Sequence, residues 1–257
     1  MKTSLFNGFF RRNNMFPTYS KNTATEGIQT AEEWGNIRKA ELYIYNDIDV
    51  VLRINLYRNQ KKIASAINLF EVFDFSKIRC IGSIGDSPFI HSIVIHDYLN
   101  QKLEQDTKDD KVSMKFLLTD FESISLDYGR KLGLVNTEFA KFDLNTDDLR
   151  LFTNCNLILM WGVDCVVEDS TLLKLFKFCA ENNTTLIIGS INVEFLKFNW
   201  KRFLGLILIL DRVLQRNNGF LHAYLRTQKY FKKLSQLAMV ECQVLFADEV
   251  YRVYKIN

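Results

Sequence analysis

The residues best suited to chemistry gather at short turns that follow apolar runs. Cys80-Ile81-Gly82-Ser83-Ile84-Gly85-Asp86-Ser87-Pro88 ends one such run and opens a helical segment. Gly82 and Gly85, with Ser83 between them, would let a backbone approach a ligand. Helix amides would point into the same space, and Pro88 suits a first helical turn. A second run ends in Thr119-Asp120, followed by Phe121 and Glu122. A carboxylate in that place can accept from both hydroxyls of a nucleoside ribose. A third run ends in Phe142-Asp143-Leu144, and a fourth in Met160-Trp161-Gly162. Asp120 and Asp143 would serve as well in a helix cap or a turn, and Trp161 could line a core or wall a pocket.

His222 stands in Gly219-Phe220-Leu221-His222-Ala223-Tyr224-Leu225-Arg226-Thr227, ahead of a helix that Arg226-Thr227 would open. A neutral imidazole there could take a proton from a hydroxyl or amine, or be a loop histidine without a chemical role. His91 and His96 are five residues apart, about 140° around a helix, so they cannot form a metal pair and are expected to be structural. The cysteines, Cys80, Cys155, Cys165, Cys179 and Cys242, show no C-x-x-C spacing. All but Cys155 lie in apolar runs, which predicts buried thiols in a reducing, cytoplasmic compartment, with no disulfide framework and no metal site.

The elements that must hold these residues follow from hydrophobic periodicity. Ile63, Ala66, Ile67, Phe70 and Phe73 recur at helical spacing between Asn59 and Asp74, with Lys61, Lys62 and Ser65 turned away. Glu32–Asn46 reads as a further helix, carrying Tyr43 and Tyr45, which could close over a ligand or belong to a core. Residues 1–75 thus form a tail and helical preface, and residues 76–257 a second unit. In that unit short apolar runs alternate with helical ones. The strands are Ile78–Ile81, Lys115–Leu118, Phe139–Phe142, Leu157–Trp161 and Thr185–Ile188. The helices are Phe89–Leu103, Leu126–Leu132, a short turn over Thr146–Phe152, and Ser170–Glu181. Such alternation predicts βαβ units on a parallel sheet. After a helix over Gln228–Ala238, the runs Val240–Phe246 and Val250–Ile256 are separated by three residues, too few to join parallel strands. They must form an antiparallel hairpin. The expected fold is α/β: a three-layer Rossmann-like sheet, mostly parallel, with a C-terminal antiparallel hairpin and an N-terminal helical segment.

Composition sets the outer bounds. The chain has 257 residues, 47% apolar and 25% charged, with 2 Pro and 11 Gly, which is globular and long enough for a sizeable core. Lys and Arg number 33 against 30 Asp and Glu, an excess too small to imply a nucleic-acid or membrane footprint by itself. The longest apolar run, Phe203–Leu210, is far short of the roughly 20 residues of a spanning helix. No acid precedes Glu26, while Lys2, Arg11, Arg12 and Lys21 alternate with Phe6, Phe9, Phe10 and Phe16. Such starts can be transit peptides or surface anchors, but the tail is expected instead to be poorly ordered or to fold over a pocket. Glu104–Asp110 reads as a solvated loop.

The order of elements and turn residues resembles the class I S-adenosylmethionine-dependent methyltransferases over about residues 60–257. The resemblance implies that Gly82, Ser83 and Gly85 hold the methionine part of the cofactor. Asp120, with Phe121 beside it, would bind the ribose, and Asp143 with Leu144 would lie near the adenine. Trp161 would border the reacting methyl, and the Val240–Ile256 hairpin would supply the last two strands. The family's loop, D/E-x-G-x-G-x-G, is degenerate here: Cys80 replaces the acid, Ile84 the second glycine and Asp86 the third. The turn also faintly resembles that of nicotianamine synthase, an aminocarboxypropyl transferase using the same cofactor.

A methyltransferase of this class has no fixed catalytic motif, because sulfonium displacement needs chiefly positioning and exclusion of water, worth roughly 7–11 kcal/mol. No N/D-P-P-Y/F signature is present, so the expected acceptor is a small molecule or glycan methylated on oxygen or nitrogen, with His222 as candidate base. The alternatives are a catalytically inactive methyltransferase-like binding module and the aminocarboxypropyl transferase. A nicotinamide-binding domain fits less well, since such folds normally end on a parallel strand.

Overall fold

Leu157–Trp161 is apolar at every position because both faces of its strand are covered, as the parallel-sheet reading requires. The computed structural model describes residues 59–86, 89–106, 114–164, 167–192 and 226–257. Glu32–Asn46, Tyr43, Tyr45, Cys165 and His222 lie outside them. The described elements are α1 (Gln60–Val72), β1 (Cys80–Ile84), α2 (Ile90–Asp106), β2 (Lys115–Asp120), α3 (Ser123–Lys131) and β3 (Thr137–Lys141). They continue with a 3-10 turn (Leu149–Phe152), β4 (Leu157–Trp161), α4 (Asp169–Glu181), β5 (Thr185–Ile191), α5 (Gln228–Ala238), β6 (Cys242–Ala247) and β7 (Tyr251–Ile256). Seven strands lie in the order β3-β2-β1-β4-β5-β7-β6. The first five are parallel; β7 runs antiparallel to β5 and to β6. The expected fold class, with its terminal hairpin, is the observed one.

Side-chain alternation splits the core in two. Ile81, Phe116, Leu118, Leu157, Leu159, Trp161, Ile187 and Val253 meet α1, α2 and α3 on one face. Leu117, Ile158, Met160, Leu186, Ile188, Tyr254 and Ile256 meet Phe152, α4 and α5 on the other. In β6 a register shift between Val244 and Phe246 changes the face: Cys242 and Val244 pack with α5, Leu245 and Phe246 with the α1 side.

Several boundaries move. β1 runs on to Ile84 where a turn was expected from Gly82, and β3 starts at Thr137, which pairs with Phe116. The stretch taken as a loop from Glu104 begins as helix, since α2 continues to Asp106. On α1 the buried face is Ser65, Ala66 and Leu69, while Ile67 is 48% exposed. Ser65 tolerates burial because its hydroxyl reaches Asp248 Oδ2 at 2.5 Å, with Lys61 O at 3.1 Å. Asp248, at the β6–β7 tip, also accepts from the amides of Val250 and Tyr251, and Lys61 pairs with its neighbour Glu249. Tyr251 is paired with Ile191, so α1 is tied down at the carboxyl end of β5.

Candidate functional site at the carboxyl edge

In an open parallel sheet, a ligand site lies beyond the carboxyl ends of the strands where the order reverses, here between β1 and β4. The loop after β1 turns at Gly85, whose φ of +65° suits glycine. Its amide donates to Thr119 O at 2.9 Å, and Thr119 Oγ1 donates to Ser83 O at 2.8 Å, which ties the ends of β1 and β2 together. A Cβ on Gly85 would lie 2.7 Å from Val163 Cγ2, so the loops after β1 and β4 are in close approach.

Gly82 belongs to a different place. It sits inside β1 with its missing side chain facing the α4–α5 layer, where a Cβ would lie 2.6 Å from Phe152 Cδ1 and 3.2 Å from Cys155 Sγ. The glycine is explained by packing beneath the 3-10 turn, and a valine there would disturb the core rather than merely fill a ligand space. Ser83 points to the opposite face, with its hydroxyl 3.1 Å from Ser92 Oγ on α2.

Asp86, at the third-glycine position, is the hub of this edge. Its Oδ1 lies 2.7 Å from His91 Nδ1, and its Oδ2 accepts from the Ser92 amide at 2.7 Å and hydroxyl at 2.8 Å. Burial opposes ionisation, but the His91 imidazole and the Ser92 donors outweigh it and hold the carboxyl below its ordinary value. With Asp86 ionised, His91 Nδ1 carries the proton. The His91 ring, 1% exposed, stacks on Trp161 with centroids 4.2 Å apart and planes 1° from parallel. Tyr251 meets both rings edge-on. Trp161 is therefore the end of the core, packed over Gly189, rather than an open wall. His91 Nε2 and Trp161 Nε1 are buried and have no hydrogen-bond partner among the described residues. His96 is structural in a different way: its Nε2 reaches Val135 O at 2.9 Å. The two histidines share no ligand position.

Asp120 ends β2 and is buried. Its Oδ1 accepts from the Glu122 amide at 2.8 Å, and its carbonyl accepts from Phe142 N at 3.0 Å. The residue that caps α3 is Glu122, so Asp120 closes the turn ahead of the helix. Phe121 is half-buried beside it. Asp143 is a turn residue: Oδ1 accepts from the Asn145 amide at 2.9 Å and from its Nδ2 at 3.1 Å. Leu144 is buried in the α4–α5 layer.

The residues that the spacing analysis did not single out lie after β4. Asp164 is fully buried and accepts from Ser190 Oγ at 2.6 Å. Arg226, expected only to precede a helix, is buried and crosses to this loop. Its Nη2 donates to Asp169 Oδ1 at 2.8 Å and to Val167 O at 2.7 Å, its Nε reaches Asp169 at 3.1 Å, and its Nη1 donates to Asp164 O. Burial resists ionisation of Asp169, yet the Tyr230 hydroxyl and Arg226 keep its carboxyl below the usual range. Thr227 caps α5 as expected, accepting from Tyr230 N at 3.4 Å. The only sequence signal for Arg226 was its place beside Thr227 at the opening of a helix.

Four of the thiols are described. Cys155 and Cys179 are buried, but Cys80 and Cys242 are only half-buried, because each opens an edge of its strand. Among the described residues no group of three metal-ligating side chains occurs, and no helix is long and apolar enough to cross a membrane.

No family profile matches the chain, and no curated protein is detectably similar to it. Solved structures are. An O-methyltransferase family protein from Burkholderia thailandensis superposes with a TM-score of 0.57 at 13% identity, over 98% of this chain and 68% of that one. Human N-acetylserotonin methyltransferase, in complex with S-adenosylmethionine, gives 0.53 at 13% identity over 93% and 65%. N,N-8-amino-8-demethyl-D-riboflavin dimethyltransferase from Streptomyces davawensis gives 0.52 at 16% over 80% and 61%. The chain thus spans about two thirds of the length of these proteins. At such identities the likeness is one of fold, and that fold is the Rossmann-like fold of the class I methyltransferases.

Proposed function

We propose that the chain is an S-adenosylmethionine-dependent methyltransferase acting on a small-molecule or glycan oxygen or nitrogen. The observation that carries this reading is the strand order β3-β2-β1-β4-β5-β7-β6 with β7 reversed, the architecture of the superposed methyltransferases. The side chains at its carboxyl edge fit the cofactor in kind. Asp120 is a buried carboxylate at the end of β2 whose Oδ1 accepts from the Glu122 amide, and an ionised carboxylate is the acceptor type that ribose hydroxyls call for. His91 Nε2, a buried ring nitrogen without a described partner, offers a lone pair to a ligand N–H or O–H.

When bound, the cofactor supplies an electrophilic methyl group on a sulfonium. The chain's own residues then position and exclude water. Asp120, with Phe121, would take the ribose, and Asp143 with Leu144 the adenine end. Ser83 and Gly85 would shape the turn that the amino-acid end meets. Asp86 fixes the His91 tautomer, and the Arg226 clamp holds the loop after β4 where the acceptor must approach. His222 is the proposed base, a role worth roughly 10²–10⁴-fold where the acceptor carries a proton. The preface through residue 75 is proposed to close the acceptor side, a reading supported by the bonds from Lys61 and Ser65 to the β6–β7 tip.

Calorimetry with S-adenosylmethionine, S-adenosylhomocysteine and NAD tests the assignment. Both adenosyl ligands should bind and NAD should not. At 100 times the dissociation constant either should stabilise the fold by about 2.7 kcal/mol. A silent titration with both adenosyl ligands would overturn it.

A further inference from the structure

We propose that Cys80 and Cys155 form a thiol–disulfide exchange site at the amino-terminal edge of the sheet, taking low-molecular-weight disulfides of the glutathione class. The two sulfurs lie 3.4 Å apart. That proximity is built by the fold, because β1 and β4 are neighbours with Ile81 opposite Leu157. Asn156 fastens the pair: its amide donates to Cys80 O at 3.0 Å, and its Oδ1 accepts from the amides of Arg79 and Cys80 at 3.1 and 3.2 Å. A disulfide needs the sulfurs at about 2.05 Å, so one must advance by little more than an ångström's length. Gly82 makes room for that step, since a side chain there would sit 3.2 Å from Cys155 Sγ.

The two thiols are unequal in the way exchange requires. Cys80 is half-buried and reachable, whereas Cys155 is buried. A hydrogen bond from Cys155 outweighs burial and, with help from Lys115 against Glu138, lowers the Cys80 thiol to about 7. The Cys155 thiol is raised by the same contact and by burial. Cys80 is then the attacking thiolate and Cys155 the resolving thiol. Cys80 Sγ attacks one sulfur of glutathione disulfide; the Cys80–glutathione bond forms as the glutathione S–S bond breaks, and one glutathione leaves. Cys155, losing its proton, attacks Cys80 Sγ and releases the second. The protein gives up two electrons and two protons, and one glutathione disulfide becomes two glutathione thiols. The chemistry is independent of the methyltransferase reading, since it sits at the opposite edge of the sheet.

The test is to incubate the native full-length protein with glutathione disulfide, alkylate the remaining thiols and read intact mass and linked peptides. The expected result is a loss of two of the five thiols, with the Cys80 and Cys155 peptides joined. Cys155→Ser should stop at a single glutathione adduct on Cys80, and Cys80→Ser should form neither adduct nor link. Retention of all five thiols in the wild-type protein, a link through other cysteines, or a Cys155→Ser variant without an adduct would overturn the proposal.

Discussion

The two edges of the sheet are built from the same strands but solve opposite problems. At the amino edge the strands are joined by backbone amides and by Asn156, and the Cys80 and Cys155 thiols lie side by side. At the carboxyl edge Asp86, His91, Asp120, Asp164, Ser190 and Arg226 are all buried. Burying such groups is costly unless each is answered by a partner. The partners come from α2, the loop after β4, β5 and the start of α5, so distant chain segments converge on one edge. The lesson is that this edge maintains a costly set of polar groups, whereas the other is assembled from generic ladder contacts.

The largest break in that contrast should come from Arg226→Ala. It strips the buried bonds to the Asp164 and Val167 carbonyls and the part-buried bonds to the Asp169 carboxylate. Each buried carbonyl that loses its donor costs about 1–3 kcal/mol, readable as a lowered denaturation midpoint, and the partly exposed Asp169 carboxylate adds less. Asp169→Asn should recover little of it.

Asp86→Asn comes next. Hydrogen bonds to a charged group contribute roughly 1.5–3 kcal/mol, and the variant loses the charged partner of His91. Because the folded carboxyl is held below its ordinary value, the contribution is fully present above the unfolded value of about 3.9 and disappears as pH falls through the lower folded one. Denaturation of both proteins from pH 7 downward should therefore show a gap that stays constant near neutrality and narrows only below the unfolded value.

Gly82→Ala should cost about 1–3 kcal/mol by overpacking against Phe152, while leaving the affinity for adenosyl ligands unchanged. An affinity loss without destabilisation would return Gly82 to the ligand site.

The order of the elements was legible because continuous apolar runs alternating with helical ones have one economical solution, and a three-residue connection forces the Val240–Ile256 hairpin. The acid ending β2 was legible for the same reason. Other features depend on partners far along the chain. Ser65 faces inward only because Asp248, 183 residues on, receives its hydroxyl. Arg226 is a clamp only because the chain returns to residues 164–169. Gly82 read as a turn because a strand glycine looks the same in one dimension whether it meets a ligand or Phe152. Asp86 read as a defect in a glycine pattern until His91 and Ser92 were placed against it.

Asp120→Ala, titrated with S-adenosylhomocysteine and denatured in parallel, tests the central claim that the carboxyl edge is a cofactor site. If the carboxylate accepts from the ribose hydroxyls, affinity should fall at least about tenfold, since each charged hydrogen bond contributes roughly 1.5–3 kcal/mol. If Asp120 serves only the turn that ends at the Glu122 amide, stability should fall while the affinity stays as it was, and that result would contradict the account.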